Sequence, residues 1–208
     1  MVKRVSEAVN IQEGATYFDN AFLDAFKKVI TEFSKELVFN EYDFRANLYY
    51  YLRQQFESEN KPYNINFDYT LPISSGPYGT EPIKPDIVVW NIKNERDVVC
   101  GELKFSGSKS IPQKDLLWDY NKLMKLKHQY EFQRAYFLCI SKQSPEKLVF
   151  HLINRHIWSR EGKLSLKRSS GWICGFLCIL FHSVVENQGY KITFPNRVQI
   201  TSFREENK

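Results

Sequence analysis

Residues 85–105 decide the fold, and they read PDIVVWNIKNERDVVCGELKF. Two strand-like runs that contain β-branched and aromatic residues, at 86–90 and 98–105, flank a polar segment at 91–97. This pattern is typical of two antiparallel strands joined by a loop, because β-branched side chains favour strands and polar residues favour turns. The sequence therefore predicts a β-hairpin near the middle of the chain.

The turn of this hairpin sets its register. A turn centred at Asn94 gives three facing pairs: Trp90 with Val98, Val88 with Cys100, and Asp86 with Glu102. Residues two apart on a strand point to the same face, so Glu102 and Lys104 project side by side, roughly 6–7 Å apart. We therefore expect two acids and a lysine to meet at one end of one sheet face.

That cluster has a chemical use. Two close carboxylates repel each other, and a hard divalent cation relieves the repulsion while accepting oxygen ligands. The predicted ligands of Mg²⁺, with Mn²⁺ as a substitute, are Asp86, Glu102 and the backbone carbonyl of Leu103. Lys104 can orient or deprotonate a metal-bound water, or stabilise charge on a phosphoryl oxygen. We therefore expect phosphodiester hydrolysis by in-line attack of the activated water.

Two helices and a strand are predicted before the hairpin. Apolar residues at helical spacing indicate a helix over 17–37, opened by Thr16 and Asp19. A second stripe indicates a helix from about 41 to 56. Alternating apolar and polar residues then predict a half-buried strand at 65–71.

After the hairpin, a capping box at Ser110 predicts a third helix that runs to about residue 130. The apolar run at 135–140 suits a buried strand, and a fourth helix is expected from Ser144. The tail is expected to contain short strands at about 172–181, 190–194 and 197–203.

The Pro85-Asp86 pair, the 15-residue gap and the tripeptide Glu102-Leu103-Lys104 resemble the signature of the PD-(D/E)xK nuclease superfamily. The resemblance covers about 39–141, half of the chain, and includes the order of elements. It implies an α/β chain with a restriction-endonuclease-like core, in which helices flank a central mixed β-sheet. We expect one domain over 1–208, with the helix at 17–37 before the core and a β-rich C-terminal extension at about 162–208.

The resemblance also implies which residues act. Members of the superfamily place a glutamate on the helix before the hairpin, and Glu41 matches that position. Glu41 therefore joins Asp86, Glu102 and Lys104 as an expected catalytic residue. The implied activity is that of a Mg²⁺-dependent DNA endonuclease.

A polar residue on the helix after the hairpin often supports the site in this superfamily. Asp119 fits that position because it lies between Leu116 and Leu123 at helical spacing. Lys122, one turn further on, is expected to reach a phosphate.

The charge balance permits a nucleic-acid partner. The chain carries 29 basic and 24 acidic residues, a formal net charge of +5 at pH 7. Lys109, Lys114 and Lys125 follow the hairpin closely and are predicted nucleic-acid contacts. DNA is the expected partner, while RNA and a homodimer that cuts both strands stay open.

No membrane partner is expected. The longest apolar stretch, at 172–185, has 14 residues, fewer than the roughly 20 that a membrane helix needs. The N-terminus lacks the apolar run of a signal peptide, so we expect a soluble cytoplasmic protein.

Other interpretations of the same residues stay open. Asp86 and Glu102 can form an exposed ion-pair ladder with Lys84 and Lys104. Glu41 can be a first-turn acid favoured by the helix dipole. At the level of function, the main alternative is a non-catalytic module of the same fold that binds nucleic acid or protein with its acids idle.

Overall fold

The computed structural model describes residues 2–71, 82–93, 96–107, 109–129, 132, 134–144, 148, 177–184, 186–193 and 199–203. Within these residues lie three helices and seven strands: α1 (Val2–Ser34), α2 (Glu41–Ser58), β1 (Tyr63–Phe67), β2 (Ile87–Asn91), β3 (Arg96–Ser106), α3 (Gln113–Gln129), β4 (Arg134–Ser141), β5 (Leu177–Ser183), β6 (Gln188–Thr193) and β7 (Gln199–Phe203). Of the fourth helix predicted from Ser144, the structure describes Ser144 and Leu148, and the Leu148 N–H donates to the Ser144 carbonyl at 3.0 Å. No described helix is long and apolar enough to cross a membrane.

The seven described strands form a single mixed sheet in sequence order. Pairing is antiparallel from β1 to β3, parallel from β3 to β5, and antiparallel again from β5 to β7. The prediction of an α/β chain with a central mixed sheet flanked by helices is confirmed. Strands β5 to β7 fall in or close to the β-rich extension predicted at about 162–208, and they continue the same sheet.

Helices cover both faces of the sheet. α1 and α2 pack on one face through aromatic and aliphatic side chains, among them Phe22, Phe26, Phe44 and Leu48. α3 packs on the other face through Leu116, Tyr120, Leu123 and Leu126. Strand β4 is buried along its whole length, as expected for a strand covered on both faces.

The predicted hairpin register is confirmed from Ile87 to Val89 and not beyond. Val88 faces Cys100, as predicted from a turn at Asn94. The prediction that Trp90 faces Val98 is wrong, because a register shift after Val89 brings Trp90 opposite Asp97. Such a shift arises where a β-bulge places two residues of one strand opposite one of the other.

Helix α1 begins at Val2, well before the predicted start at residue 17. Thr16 therefore lies inside the helix and does not cap it. The carboxylate of Asp19 instead accepts hydrogen bonds from Arg134 Nε at 2.9 Å and Tyr136 Oη at 2.7 Å. The acid that suggested a helix start thus connects α1 to β4.

The same helix ends at Ser34, three residues before the predicted end at 37. Glu36 takes a left-handed conformation with φ of 59°. The Leu37 N–H donates to the Glu32 carbonyl at 2.9 Å, and the Glu36 N–H donates to the Phe33 carbonyl at 3.0 Å. This pair of bonds is a Schellman motif, which closes the helix.

The other two helices start at polar or proline residues. Asn40 caps α2, because its Oδ1 accepts from the Tyr42 and Asp43 N–H groups at 2.8 and 3.0 Å. α3 starts at Gln113, three residues after the predicted Ser110. The Pro112 carbonyl accepts from the N–H of Asp115 at 3.1 Å, so the first turn follows the proline.

Candidate active site

The site lies just before the start of β2, where β3 continues past its ladder with β2. The ladder between them stops at Ile87 opposite Gly101, so Asp86 and Glu102 are not a ladder pair. Asp86 Oδ2 instead accepts a hydrogen bond from the Leu103 N–H at 2.8 Å, replacing the next rung of the ladder. The N–H and C=O of one strand residue point to the same edge, so the Leu103 carbonyl also points towards this edge.

Glu102 and Lys104 both face α3, as their spacing predicted. Lys104 Nζ lies 3.0 Å from Asp119 Oδ2, and Lys122 Nζ lies 2.6 Å from Glu102 Oε2. Both contacts are ion pairs between an ammonium group and a buried carboxylate. α3 therefore supplies one acid and one base to the two motif residues.

Helix α2 supplies the residue that sequence reasoning missed. Arg45 Nη2 lies 2.8 Å from Asp86 Oδ1 and 3.3 Å from Glu41 Oε1. Its Nη1 donates to both carboxylate oxygens of Asp68, at 3.0 and 3.2 Å. The available signal was the spacing of Glu41 and Arg45, which lie four residues apart and therefore on one side of the helix.

The site as a whole is negatively charged. Among the described residues, five ion pairs join five carboxylates to three basic side chains. When every group is ionised, five negative and three positive charges leave a formal charge of −2. The carboxylates are Glu41, Asp68, Asp86, Glu102 and Asp119, and the basic residues are Arg45, Lys104 and Lys122.

Burial is the largest influence on three of these acids. Desolvation raises the pKa of Glu102 well above its ordinary value, with a further contribution from the Asp86 charge and an opposing one from Lys122. Desolvation also raises the pKa of Glu41 and of Asp119 against the opposing charge of Lys104. Burial thus favours the protonated forms of these three acids. A bound cation would favour the ionised forms and displace the protons.

For Lys104, neighbouring charges together influence the pKa more than burial does. Burial opposes its charge, but the carboxylates of Asp119, Glu41 and Asp86 outweigh that effect and raise its pKa. The ammonium form is therefore the one that this arrangement stabilises. Without a metal, Lys104 can therefore stabilise negative charge, and its orientation or deprotonation of a metal-bound water stays a prediction.

The donor atoms fit a hard cation. Glu102 is fully buried, and its Oε1 has no hydrogen-bond partner among the described residues. A buried carboxylate oxygen without a partner is costly unless a ligand completes its coordination. In the part of the chain that the structure describes, no group of three or more His, Cys, Asp or Glu side chains is arranged to hold one metal ion. The carboxylates contact Arg45, Lys104 and Lys122 instead.

The structure bears differently on the simpler interpretations of the individual residues. Asp86 and Glu102 are buried, so they do not form an exposed ladder with Lys84 and Lys104. Glu41 is a first-turn acid of α2 and also contacts Arg45. The three predicted nucleic-acid contacts are exposed, Lys109 before α3 and Lys114 and Lys125 on it.

Models of known protein families were compared with the chain and none matches, and no curated protein matches it either.

Proposed function

We propose that this protein is a metal-dependent nuclease of the PD-(D/E)xK type that hydrolyses phosphodiester bonds, with DNA as its substrate. One observation carries the proposal. Asp86 bonds the Leu103 N–H, between Glu102 and Lys104, and Glu102 is fully buried with an oxygen, Oε1, that has no hydrogen-bond partner among the described residues. A fold gains little from a buried carboxylate of this kind, whereas a metal site requires it.

The proposed cation ligands are Asp86, Glu102 and the backbone carbonyl of Leu103. When bound, Mg²⁺ or Mn²⁺ there supplies Lewis-acid activation of a water and neutralises charge on the phosphate. The two negative charges in excess at this site match the charge of one such ion. All the donors are oxygens, which these ions prefer.

The other residues have supporting roles. Arg45 holds Asp86 and Glu41 in place through contacts of 2.8 and 3.3 Å. Asp119 orients the Lys104 ammonium, which stabilises negative charge that develops on a phosphoryl oxygen. Lys122 neutralises Glu102 in the cation-free protein and lies where a substrate phosphate would approach.

The finer fold assignment belongs to the same proposal. A restriction-endonuclease-like core over about 39–141 would comprise α2, the antiparallel strands β1 to β3, α3 and the parallel strand β4. The observed order and pairing of these elements agree with that core. The oligomeric state stays an open alternative between a monomer and a homodimer.

The second candidate is a non-catalytic nucleic-acid- or protein-binding module of the same fold. The observation in its favour is that each acid of the site already has a basic partner within 3.3 Å. Acids that are neutralised in this way could be purely structural.

A cleavage assay separates the two candidates. Supercoiled plasmid, linear duplex, circular single-stranded DNA and RNA are incubated with Mg²⁺, Mn²⁺ or EDTA. The nuclease proposal expects metal-dependent cleavage by the wild type and no cleavage by Lys104→Ala or Glu102→Gln. Tyr50→Ala, which changes an exposed residue of α2, should cleave as the wild type does. Cleavage in none of these conditions, with nucleic-acid binding unchanged in Lys104→Ala, would favour the binding module.

A further inference from the structure

One face of α3 combines basic and aromatic side chains. Lys114, Trp118, Asn121 and Lys125 are exposed at spacings of four, three and four residues, so they form one stripe along the helix. Trp118 is 73% exposed. A single exposed aromatic residue needs no partner, but this one lies between two exposed lysines, one and two turns away, with Asp115 half-buried three residues before it.

The stripe runs beside the candidate active site. Trp118 and Lys122 are four residues apart, which places them one turn apart and about 40° from each other around the helix. Lys122 contacts Glu102, and Asp119, the residue after Trp118, contacts Lys104. A nucleic-acid strand bound along the stripe would therefore pass the carboxylates of Glu102 and Asp119.

Exposed aromatic residues also border the site on α2. Tyr42 is 81% exposed and lies three residues before Arg45, on a neighbouring position of the helix surface. Phe39 is 71% exposed and precedes the cap residue Asn40. Both helices that build the site thus present a large exposed ring next to it.

We infer that the nucleic acid taken by this site is single-stranded or locally unpaired, with a base stacked on Trp118 and phosphates on Lys114 and Lys125. The inference rests on the proposed function and specifies its substrate. In a duplex the base faces are hidden in the stack, so an exposed indole finds a stacking partner where bases are unpaired. Lysines on both sides of the ring complement the charge of the backbone.

Binding to labelled oligothymidine and to a blunt duplex of the same length tests this by fluorescence anisotropy, in EDTA and in Ca²⁺. Trp118→Ala should weaken binding of the single strand roughly 5- to 150-fold and change duplex binding little. Trp118→Phe should recover most of the loss, because the ring is retained. Tyr50→Ala, an exposed ring on α2 turned away from Arg45, is the matched control and should bind as the wild type does.

Equal affinity for the two substrates, or single-strand binding that Trp118→Ala leaves unchanged while its melting temperature is preserved, overturns the inference. Cleavage separates this result from failure of the nuclease proposal. Metal-dependent cleavage of the single strand at an unaltered rate in Trp118→Ala would support the nuclease and contradict the stacking surface. Single-strand binding that needs Trp118, without cleavage in any metal, would support the surface and contradict the nuclease.

Discussion

The ammonium group of Lys122 lies 2.6 Å from Oε2 of Glu102, a carboxylate that is fully buried beneath α3. Lys122 itself is 22% exposed in its side chain. The acid is therefore held by the fold, whereas the base can leave towards solvent. Under the proposed function, we expect a cation to replace Lys122 at Glu102 while the helix stays folded.

Glu102→Gln should stabilise the cation-free protein and abolish cleavage. Burial raises the pKa of Glu102 well above its ordinary value of 4.5, so the protonated form is the one that the fold favours. That contribution to stability is present below about pH 4.5 and is lost as the pH rises through the folded pKa. In urea unfolding at pH 8 with EDTA, we expect a gain of about 1–3 kcal/mol that disappears near pH 4. A loss of stability at pH 8 would contradict this account of Glu102.

Lys122→Ala should have the opposite effect on stability. It leaves the buried Glu102 without its counter-charge, which should lower the free energy of unfolding by about 1–3 kcal/mol in EDTA. Added Mn²⁺ should then raise the melting temperature more than it does in the wild type, because the ion takes the place of the missing positive charge. Lys125→Ala, which removes an exposed lysine of the same helix, is the control. If Mn²⁺ raised the melting temperature of both variants equally, the ion would not occupy the position of the Lys122 ammonium.

Asp19→Asn should lower the free energy of unfolding without changing the rate of phosphodiester cleavage. Asp19 bonds Arg134 and Tyr136, and Tyr136 packs on the face of the sheet that α1 covers, whereas Glu102 and Lys104 face α3 on the other side. Lys191 Nζ lies 3.3 Å from Asp19. Removing its charge from a largely buried network should cost about 2–5 kcal/mol of unfolding free energy. Well below the melting temperature, cleavage per folded molecule should stay at the wild-type level. Loss of cleavage with the fold intact would place Asp19 in the mechanism.

His182 should make stability depend on pH between about 6.5 and 4. Burial lowers the pKa of His182 from 6.5 to about 4, so the fold favours the neutral ring. This stabilisation is present above pH 6.5 and is lost as the pH falls to about 4, to a total of about 3 kcal/mol. The measurement is the difference in unfolding free energy between the wild type and His182→Gln across that range. A difference that does not change with pH would rule out His182 as the cause.

Local patterns predicted the hairpin and the common face of Glu102 and Lys104. Strand alternation placed Glu102 and Lys104 on one face, and the turn centre placed Val88 opposite Cys100. The bulge after Val89 was missed because its extra residue depends on how the turn and the sheet twist fit together. An alternating pattern does not record such an insertion.

Long-range contacts explain the remaining differences. Arg45 meets Asp86 across 41 residues of sequence, and Asp19 meets Arg134 across 115. No periodicity within a helix or strand encodes a pair of that separation. Helical spacing did place Asp119 on the inward side of α3, but its partner proved to be Lys104, while Lys122 pairs with Glu102.

Binding of Mn²⁺ to the cation-free protein, followed by isothermal titration calorimetry at neutral pH, tests the central claim most directly. The account predicts a single site in the wild type that is lost in both Asp86→Asn and Glu102→Gln and is retained in Tyr50→Ala. It would be contradicted by folded wild-type protein that binds no Mn²⁺, or by binding that both site variants leave unchanged.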